Sequence, residues 1–441
     1  MKKIALIVSL LWLPNVLFTW EPDANFFYWR HQLTLLTGAI GFAYMAVSMV
    51  LAMRLPKVEE YVNGLDKGYA IHKQMGIGAL VALVSHWVII ESPKWLVSLG
   101  LLDPPQRRAR LGQAADGINW MHWGKMVGEY TFYVFVAFVA ISLIQAISYR
   151  KFRFTHKLAG AIFLAGAFHS VTVLDYQLSA SALNIIVWIC AVIGSLCAVL
   201  SLSGQIGRRR KVTGQVTMVK QVTDESSNYR VLHIGITLDE PLDYKAGQFA
   251  YLDFHDGEAP HPFSVLKYDP FTQQADFAIK DLGDYTHQLF NQLNEGRQVT
   301  LEGGYGRFQI PSDAQQVWIG AGIGIVPFVA WLQHLTQLPH SSGRHIELFY
   351  CRDNDKQQYF VKLLELFVSK LPNVNLHVFT ARHNEFLCAE RVAERLNLAE
   401  ASVSFCGPVG FGSSLKNHLI NMGLSQQNFH SERFAMRRIR V

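Results

Sequence analysis

Apolar residues are concentrated in the first half of the chain. Runs of about 20 apolar residues, long enough to cross a hydrocarbon layer of about 30 Å, occur at 33–53, 70–90, 124–147, 157–176 and 183–203. A shorter run covers 4–20. We expect it to be a retained first helix, although its Lys2-Lys3 start also fits a secretory signal. From residue 211 onward, short segments that alternate apolar and polar residues predict β-strands.

Charge follows the same division. The chain has 441 residues, and residues 1–207 contain 16 Lys and Arg against 10 Asp and Glu, whereas the remaining residues contain 24 of each. The net charge of +6 therefore comes from the apolar half, which argues against a nucleic-acid module, because such modules cluster basic residues on a folded domain. The five cysteines form no CxxC pair, so the sequence predicts neither a disulfide scaffold nor a thiolate metal site.

Basic residues also predict the orientation of the helices. In a six-helix arrangement three basic clusters fall on one side of the membrane, which is the cytoplasmic side by the positive-inside rule. These clusters are Arg54 to Lys73, Arg150 to Lys157 and Arg208 to Lys211. The loop 91–123 opposes this orientation, because its Arg107, Arg108 and Arg110 would lie outside. We expect a multi-pass protein of the inner (cell) membrane with its soluble half in the cytoplasm.

Four histidines occupy matching positions in two predicted helices. The third span contains His72 and His86, and the fifth contains His156 and His169. At about 1.5 Å per residue, the two separations are about 21 Å and 19.5 Å. A neutral imidazole from each of two helices can ligate one haem iron. We therefore predict two haem sites, His72 with His156 near the cytoplasm and His86 with His169 near the outside.

The alternative is that these histidines are structural, hydrogen-bonded at helix ends or in cavities. The fifth span also has a geometric problem, because 14 residues turn about 1400°, close to four turns, whereas 13 residues turn about 1300°. A regular α-helix cannot point His156 and His169 in one direction. We expect either a local 3₁₀ segment or a kink, near Gly160 and Gly166.

Three further polar residues, Arg30, Arg54 and His122, lie near the ends of predicted spans. Arg30 and Arg54 bracket the second span, where each could bind the carboxylates of a haem or be an ordinary interfacial arginine. His122 lies between Trp120 and Trp123 in an apparent aromatic belt, so we interpret it as interfacial and not as a ligand.

The second half predicts two soluble domains. Alternating strands after Lys211 favour a small antiparallel barrel. After Gln316 the pattern becomes strand, glycine turn and helix, in which a glycine-rich turn lets backbone amides approach a pyrophosphate. The glycines and the following proline are Gly320, Gly322, Gly324 and Pro327. The predicted fold class is a six-helix transmembrane haem bundle (1–207), an antiparallel β-barrel flavin domain (208–312) and an α/β nucleotide-binding domain (313–441).

The motif order in this half resembles the ferredoxin–NADP reductase superfamily. The barrel contains His261-Pro262-Phe263-Ser264, then Lys280, Gly283, Tyr285 and Thr286, then Gly304 and Gly306. The resemblance implies that the first motif lines the flavin ring, with Ser264 beside its reactive nitrogen. It also implies that the glycine-threonine motif holds FAD phosphate.

The same resemblance extends to the end of the chain. Cys406-Gly407-Pro408 matches the family's Cys-Gly-Pro turn near the nicotinamide, and Glu432-Arg-Phe434 resembles its carboxy-terminal aromatic signature. The resemblance therefore implies catalytic roles for Ser264, Cys406 and Glu432. Seven residues follow Phe434, which departs from the family pattern and leaves its stacking on the flavin open.

The choice of nicotinamide cofactor depends on a 2′-phosphate site. Arg352 and Arg382 each follow a predicted strand, and together they could bind that phosphate. We therefore expect NADPH. NADH is the alternative, because the acidic residues Asp353 and Asp355, which suit a free ribose hydroxyl, follow closely.

Taken together, the histidine pairs and the flavin and nucleotide modules resemble the ferric reductase and NADPH oxidase family over nearly the full chain. The resemblance implies electron transfer from NADPH through FAD and two b-type haems to an acceptor on the far face. Superoxide-producing members carry a second histidine where this chain has Ile90, so a ferric chelate or quinone-like acceptor is favoured, and oxygen remains an alternative.

Two other functions stay open. The chain could feed a periplasmic redox partner that docks on the loop 91–123, whose basic stretch would attract an acidic surface. Alternatively, the helices could merely anchor a cytoplasmic flavin reductase, in which case no haem would be bound.

Overall fold

Two compact units make up the chain. The computed structural model describes residues 1–20, 22, 24–103, 118–144, 152, 155–174, 181–224, 229–338 and 344–432. Among these, one unit comprises Met1–Val62 and Lys67–Ile206, and the other comprises Asn63–Asp66 and the residues from Gly207 onward. The first unit is helical, and the second contains all of the described strands.

The helical unit contains seven described helices. They are α1 (Lys2–Thr19), α2 (Phe26–Ala52), α3 (Pro56–Tyr61), α4 (Leu65–Ser98), α5 (Trp120–Leu143), α6 (Ala159–Thr172) and α7 (Ala182–Leu202). Five of them (α1, α2, α4, α5 and α7) are long and apolar enough to span a membrane, whereas α6 is apolar but has only 14 residues. The prediction of several apolar helices is confirmed.

The lengths of two predicted spans were wrong. Helix α4 continues to Ser98, through Pro93, so the predicted loop 91–123 is helical over its first eight residues, and α5 begins at Trp120. Helix α6 is shorter than the predicted span 157–176. A Pro inside a helix removes one backbone hydrogen bond without necessarily ending the helix, so α4 continues past Pro93.

Polar side chains fix the starts of three helices. The side-chain oxygen of Asn25 accepts hydrogen bonds from the backbone N–H groups of Phe27 and Tyr28 at the start of α2. Asn119 and Ser181 cap α5 and α7 in the same way. Such caps satisfy donors that have no partner within the helix.

Helix α1 packs against α2 through polar contacts. Trp12 donates to the carbonyl of Gln32 (3.1 Å), and the Gln32 amide donates to the Thr19 hydroxyl (3.0 Å). The Tyr28 hydroxyl donates to the carbonyl of Val16 (3.1 Å). Hydrogen bonds between helices in apolar surroundings contribute to association, so these contacts join α1 to the bundle.

The second unit begins with a closed antiparallel barrel, as predicted. Its strands are β1 (Lys211–Asp224), β2 (Tyr229–Leu238), β3 (Phe249–Asp253), β4 (His261–Asp269), β5 (Gln274–Lys280) and β6 (Gln298–Tyr305), in the order β1-β2-β5-β4-β3-β6. A helix, α8 (Asp284–Gln292), lies between β5 and β6 in sequence. Alternate residues such as Leu232, Ile234 and Ile236 of β2 fill the interior, which accounts for the period of two in the sequence.

A parallel sheet follows, also as predicted. Its strands are β7 (Gln315–Ala321), β8 (His345–Arg352), β9 (Val374–Thr380), β10 (Ala401–Cys406) and β11 (Phe429–Glu432), in the order β11-β10-β7-β8-β9. The helices between them are α9 (Val326–Gln337), α10 (Gln358–Val368), α11 (Ala389–Ala393) and α12 (Val409–Asn421). Because the strands are parallel, their carboxyl ends lie at one edge of the sheet.

A buried carboxylate joins β8 to β9. Glu347 is only 4% exposed and accepts hydrogen bonds from Asn375 (2.8 Å), His345 (2.8 Å) and His377. Burial raises the pKa of Glu347, but the hydrogen bonds from Asn375 and His377 outweigh this effect, so that its pKa is lowered overall. The ionised carboxylate therefore stabilises the fold.

We predict that Glu347→Gln lowers the free energy of unfolding by about 1–3 kcal/mol near neutral pH, because the charged acceptor is lost. The folded-state pKa is depressed, so this contribution is present above the ordinary value of 4.5 and disappears as the pH falls through the folded-state pKa. Denaturant unfolding of the full chain in detergent measures it. Glu365→Gln, at an exposed position of α10, is the control; an equal effect of both substitutions would contradict the prediction.

Candidate functional site

The structure brings the four predicted histidines together in two pairs. The ring centroids of His72 and His156 are 5.9 Å apart, and those of His86 and His169 are 6.4 Å apart. The ring planes in the two pairs meet at 63° and 82°. Each pair takes one histidine from α4; the other is His169 of α6, or His156, which is helical and lies just before the turn at residues 157–158.

Backbone carbonyl groups orient three of these rings. His72 Nδ1 donates to the carbonyl of Ser48 (3.0 Å) and His86 Nδ1 to that of Thr34 (2.9 Å), both on α2. His169 Nδ1 donates to the carbonyl of Gly124 on α5 (2.9 Å). An imidazole that donates through Nδ1 is the tautomer whose Nε2 carries a lone pair. This arrangement prepares Nε2 as a metal ligand.

The fourth ring is positioned by aromatic packing. His156 stacks with Phe138 of α5 at a centroid distance of 5.2 Å and with Phe152 at 4.8 Å. Both planes lie within 30° of the imidazole plane. The stacking limits rotation of the ring, so that its orientation is fixed from two sides.

The pair separations fit axial ligation of one iron. A metal–imidazole bond of about 2.0 Å on each side, and roughly 1.1 Å from Nε2 to each ring centre, put the two centres about 6 Å apart. The observed 5.9 and 6.4 Å match this requirement. Within the described residues there is no group of three or more His, Cys, Asp or Glu side chains that could hold a metal. Two opposed imidazoles are a ligand set that a haem iron can use, because the porphyrin supplies the other four ligands.

Glycines give the outer pair its space. A Cβ at Gly38 of α2 would lie 3.0 Å from the His86 ring, and a Cβ at Gly128 of α5 would lie inside van der Waals contact with the His169 ring. Both rings therefore lie directly against helix backbones. Gly128 is four residues beyond Gly124, whose carbonyl accepts from His169, so one face of α5 both receives the ring and binds it.

The predicted irregularity between His156 and His169 is present, but at another place. Residues 157 and 158 form a turn, and the Leu158 N–H donates to the Thr155 carbonyl in an i to i+3 bond (3.0 Å). This is 3₁₀ geometry. The helix is continuous through Gly160 and Gly166, so assigning the irregularity to these glycines was wrong. The turn at residues 157–158, directly after His156, compensates for the angular mismatch before α6 starts.

Arg30 has a structural role that the sequence did not reveal. Its guanidinium donates to the carbonyls of Ile89 (3.2 Å) and Ile90 (2.9 Å) on α4. Pro93 cannot donate to the carbonyl of Ile89 four residues earlier, so Arg30 and the Ser92 hydroxyl (2.8 Å) donate to it instead. Arg54 follows α2 with a positive φ of 54°. His122 lies exposed in the first turn of α5, beside Trp123.

An apolar pocket lies beside the first residues of α5 and the last turn of α6, which contains His169. It has a volume of about 480 Å³ and is lined by Ile118, Trp120, Trp123, Val127 and Phe168. Phe168 precedes His169, and Trp123 precedes Gly124, the hydrogen-bond partner of His169. The pocket is therefore adjacent to the outer histidine pair.

The first two barrel motifs contact each other. His261 of β4 stacks on Tyr285 of α8 at a centroid distance of 4.0 Å, and the Tyr285 hydroxyl donates to Asp256 (3.0 Å). Burial, followed by the charge of Asp256, raises the pKa of Tyr285. Pro262, Phe263 and Ser264 continue along β4, each partly exposed.

Helix α8 begins at the glycine-threonine motif. The Thr286 hydroxyl accepts hydrogen bonds from the N–H groups of Leu282 (2.9 Å) and Gly283 (3.0 Å). Lys280 ends β5 just before this turn. The N-terminus of a helix attracts anions through its free N–H groups and its dipole, so this end of α8 suits a phosphate.

The third barrel motif meets the carboxy-terminal signature. Gly306 has a φ of 95°, and a Cβ there would lie 2.8 Å from Glu432 Oε1 and 3.2 Å from the Phe249 ring. Phe249 pairs in register with Ser264. Ser264 thus lies opposite Phe249 in the sheet, and Gly306, which is far away in sequence, lies close to both Phe249 and Glu432. Gly304 precedes this turn, whereas Phe434 lies outside the described residues.

The glycine-rich turn contacts the Cys-Gly-Pro turn. A Cβ at Gly324 would clash with the carbonyl of Cys406 and lie 3.0 Å from the Gly407 nitrogen. Gly322 has a φ of 57°, and Pro327 lies in the first turn of α9. The turn also includes Gly320, which pairs with Cys406, and Pro408 caps α12. Two amide-rich turns at the carboxyl edge of the sheet form a site suited to a dinucleotide.

Cys406 and the two arginines differ in accessibility. The Cys406 thiol is fully buried, and burial, followed by the charge of Glu432, raises its pKa well above the ordinary value. Arg352 donates to Thr380 (3.0 Å) and to the carbonyl of Asp355 (2.9 Å), whereas Arg382 is exposed. Arg352 ends β8 and Arg382 lies two residues beyond the end of the adjacent strand β9, but Arg352 is already bound within its own loop.

Both halves of the chain are similar to known proteins. Residues 37–167 match the family described as "Ferric reductase like transmembrane component". The second half is similar to the "2-halobenzoate 1,2-dioxygenase electron transfer component" of Burkholderia cepacia, with 21% identity over 238 residues that cover 52% of this chain and 69% of that protein.

A flavohemoprotein of Bordetella pertussis is 22% identical over 216 residues, which cover 44% of this chain and 53% of that protein. The chain thus spans about half the length of this relative. Among solved structures, the ferredoxin–NADP⁺ reductase of Plasmodium falciparum has a TM-score of 0.43 and 18% identity, covering 51% of this chain and 96% of that one. A ferredoxin reductase in carbazole 1,9a-dioxygenase also has a TM-score of 0.43, with 17% identity, covering 51% of this chain and 69% of that one.

We predict that Gly128→Ala displaces the His169 ring and lowers the stability of the helical unit by about 1–3 kcal/mol, because the added methyl group has no space. Gly76→Ala is the control, since a Cβ at Gly76 meets nothing within 4 Å. Thermal unfolding in detergent compares the two. Equal melting temperatures for both variants would contradict the close approach of His169 to α5.

Proposed function

We propose that this chain, whose residues 37–167 match a ferric reductase like transmembrane component, is a transmembrane oxidoreductase. It transfers electrons from cytoplasmic NADPH, by way of FAD and two b-type haems, to an acceptor on the outer face of the membrane. The observation that carries this proposal is the presence of two imidazole pairs at the separation that one iron requires.

The four histidines would be the axial ligands. His72 and His156 would hold one haem, and His86 and His169 the other. The Nδ1 hydrogen bonds of His72, His86 and His169 support this assignment, because they fix the rings and leave Nε2 available. The close approach of two imidazole rings in each pair also supports it. Arg30 and Arg54 remain candidates for haem carboxylates.

The soluble unit would bind the other cofactors. FAD, when bound, supplies the change from hydride transfer to single-electron transfer. His261, Pro262, Phe263 and Ser264 would line its ring, with Gly304 and Gly306 opposite. The start of α8, with Lys280, Gly283, Tyr285 and Thr286, would hold the phosphate. This assignment is supported by the pairing of Phe249 with Ser264 and by the proximity of Gly306 to both Phe249 and Glu432.

The nicotinamide nucleotide would lie at the carboxyl edge of the parallel sheet. Gly320, Gly322, Gly324 and Pro327 would receive the pyrophosphate, and Gly407 and Pro408 would lie near the nicotinamide. The raised pKa of Cys406 keeps its thiol protonated at neutral pH, so we propose that it orients the nicotinamide and does not act as a nucleophile. NADPH remains favoured over NADH because the exposed Arg382 can bind a 2′-phosphate.

We favour a ferric chelate as the acceptor. Arg30 places a permanent positive charge at Ile90, one turn beyond His86. Such a charge attracts anionic chelates to the outer end of the bundle.

A second candidate is reduction of oxygen to superoxide. The apolar pocket beside His169 would admit a small apolar molecule, and this observation favours an oxidase. The third possibility, a periplasmic redox partner, depends on the stretch with Arg107, Arg108 and Arg110, which lies outside the described residues.

Two substitutions test the order of the proposed electron path. Ser264→Ala should slow reduction of the flavin by NADPH, because a side chain beside the flavin is removed. His86→Ala should leave flavin reduction unchanged and abolish reduction of an external acceptor. Stopped-flow absorption of the full-length protein measures both steps. Equal loss of both steps in the His86 variant would contradict the assigned order.

The acceptor is tested by supplying NADPH to the purified protein and measuring two products. We expect Fe²⁺ to be captured by a chelator when ferric citrate is present, at a rate that superoxide dismutase does not change. Dye reduction that dismutase abolishes, without direct iron reduction, would establish the oxidase instead.

A further inference from the structure

Three arginines follow α7, and one of them, Arg210, contacts the barrel motif that ends β6. Arg208–Arg210 form a short 3₁₀ turn that leads into β1. Such a basic stretch after an apolar helix normally faces water or lipid headgroups. Arg208 and Arg209 are exposed, as this expectation requires, whereas Arg210 is partly buried.

Arg210 binds the third barrel motif by two different contacts. Its Nη1 donates to the carbonyl of Gly304 (3.1 Å), and its guanidinium carbon lies 4.7 Å from the centre of the Tyr305 ring. A planar guanidinium can make a directional hydrogen bond and an aromatic contact simultaneously. Arg210 therefore holds two successive residues of the motif.

The ring beneath Arg210 is itself fixed. Tyr305 is fully buried, and its hydroxyl donates to Glu302 Oε1 (2.7 Å). Glu302 is 5% exposed, and Lys211 Nζ lies 3.9 Å from its other oxygen. Gly207, with a φ of 68°, passes so close to this carboxylate that a side chain there would clash with it. The segment Gly207–Lys211 is thus fitted onto β6.

A second side-chain donor holds Gly306, the residue that follows β6. Gln248 Nε2 donates to the carbonyl of Gly306 (3.0 Å), and its Oε1 accepts from the Lys245 N–H (2.8 Å). The carbonyls of both Gly304 and Gly306 are thereby bound by side chains. Glycine backbones are otherwise the most flexible, so these bonds restrict the motion of the chain at Gly304–Gly306, where β6 ends.

We propose that Arg210 is a positioning residue for the flavin site: it fixes the Gly304–Gly306 segment, in which β6 ends, and so fastens the segment Gly207–Lys211 to the flavin-binding motif. The inference rests on the proposed function, which assigns the Gly304–Gly306 segment to the flavin. Arg210 does not touch the reacting atoms. It acts by holding the backbone on which the flavin would rest.

The test compares Arg210→Ala, Arg210→Lys and the control Arg209→Ala in the full-length protein. Amide hydrogen exchange of residues 303–307 is measured without cofactor, and FAD affinity is measured by the quenching of flavin fluorescence. For Arg210→Ala we expect faster exchange and about tenfold weaker FAD binding, corresponding to one charge-assisted hydrogen bond. Arg209→Ala should match the parent, and Arg210→Lys should lie between, because lysine lacks the planar fork.

Parent-like exchange and FAD affinity in Arg210→Ala would overturn the inference while leaving the flavin assignment intact. If the alanine variant does not fold, the lysine variant is the test. Parent-like amide exchange and FAD affinity in that variant would show that the guanidinium is not needed and would overturn the inference. A parent protein that binds no flavin would overturn the proposed function and this inference together. Faster exchange in Arg209→Ala as well would show a general loosening of the segment and contradict a specific role of Arg210.

Discussion

Hydrogen bonds from imidazole Nδ1 to main-chain carbonyls are the interaction on which the helical unit depends. A polar ring inside an apolar bundle is costly unless its N–H group has a partner. The carbonyls of Ser48, Thr34 and Gly124 provide that partner, and a carbonyl oxygen has a second lone pair for this purpose. Because each bond uses Nδ1, it leaves Nε2 of the same ring available as a ligand. One bond therefore both satisfies a buried donor and fixes the orientation of the ring.

The helix backbones are adapted to these rings. Gly38 and Gly128 allow two imidazoles to lie against α2 and α5, where any side chain would interfere. The turn at residues 157–158 compensates for a spacing of 13 residues, which would otherwise direct His156 away from His72. In the barrel, Arg210 and Gln248 restrain a glycine turn in a comparable way. In both units, flexible glycine positions become precise because a neighbouring polar group fixes them.

Much of this organisation could be predicted from the sequence, for identifiable reasons. Apolar length and histidine spacing are local properties, and they indicated both the spans and the partners in each pair. The barrel and the parallel sheet followed from alternation and from the order of the motifs. The partners of Arg30, Glu347 and Arg210 could not be predicted, since these contacts join residues that lie 28 to 94 positions apart or close a gap left by Pro93. Such contacts depend on tertiary packing, which leaves no period in the sequence.

Haem content tests most directly whether the two imidazole pairs each hold an iron porphyrin. It is measured in the purified full-length protein from oxidised and dithionite-reduced absorption spectra. We predict two b-type haems per chain, both with the spectrum of bis-imidazole ligation, and only one after His169→Ala. A chain without haem absorption, or one whose haem content is unchanged by that substitution, would rule out this ligation.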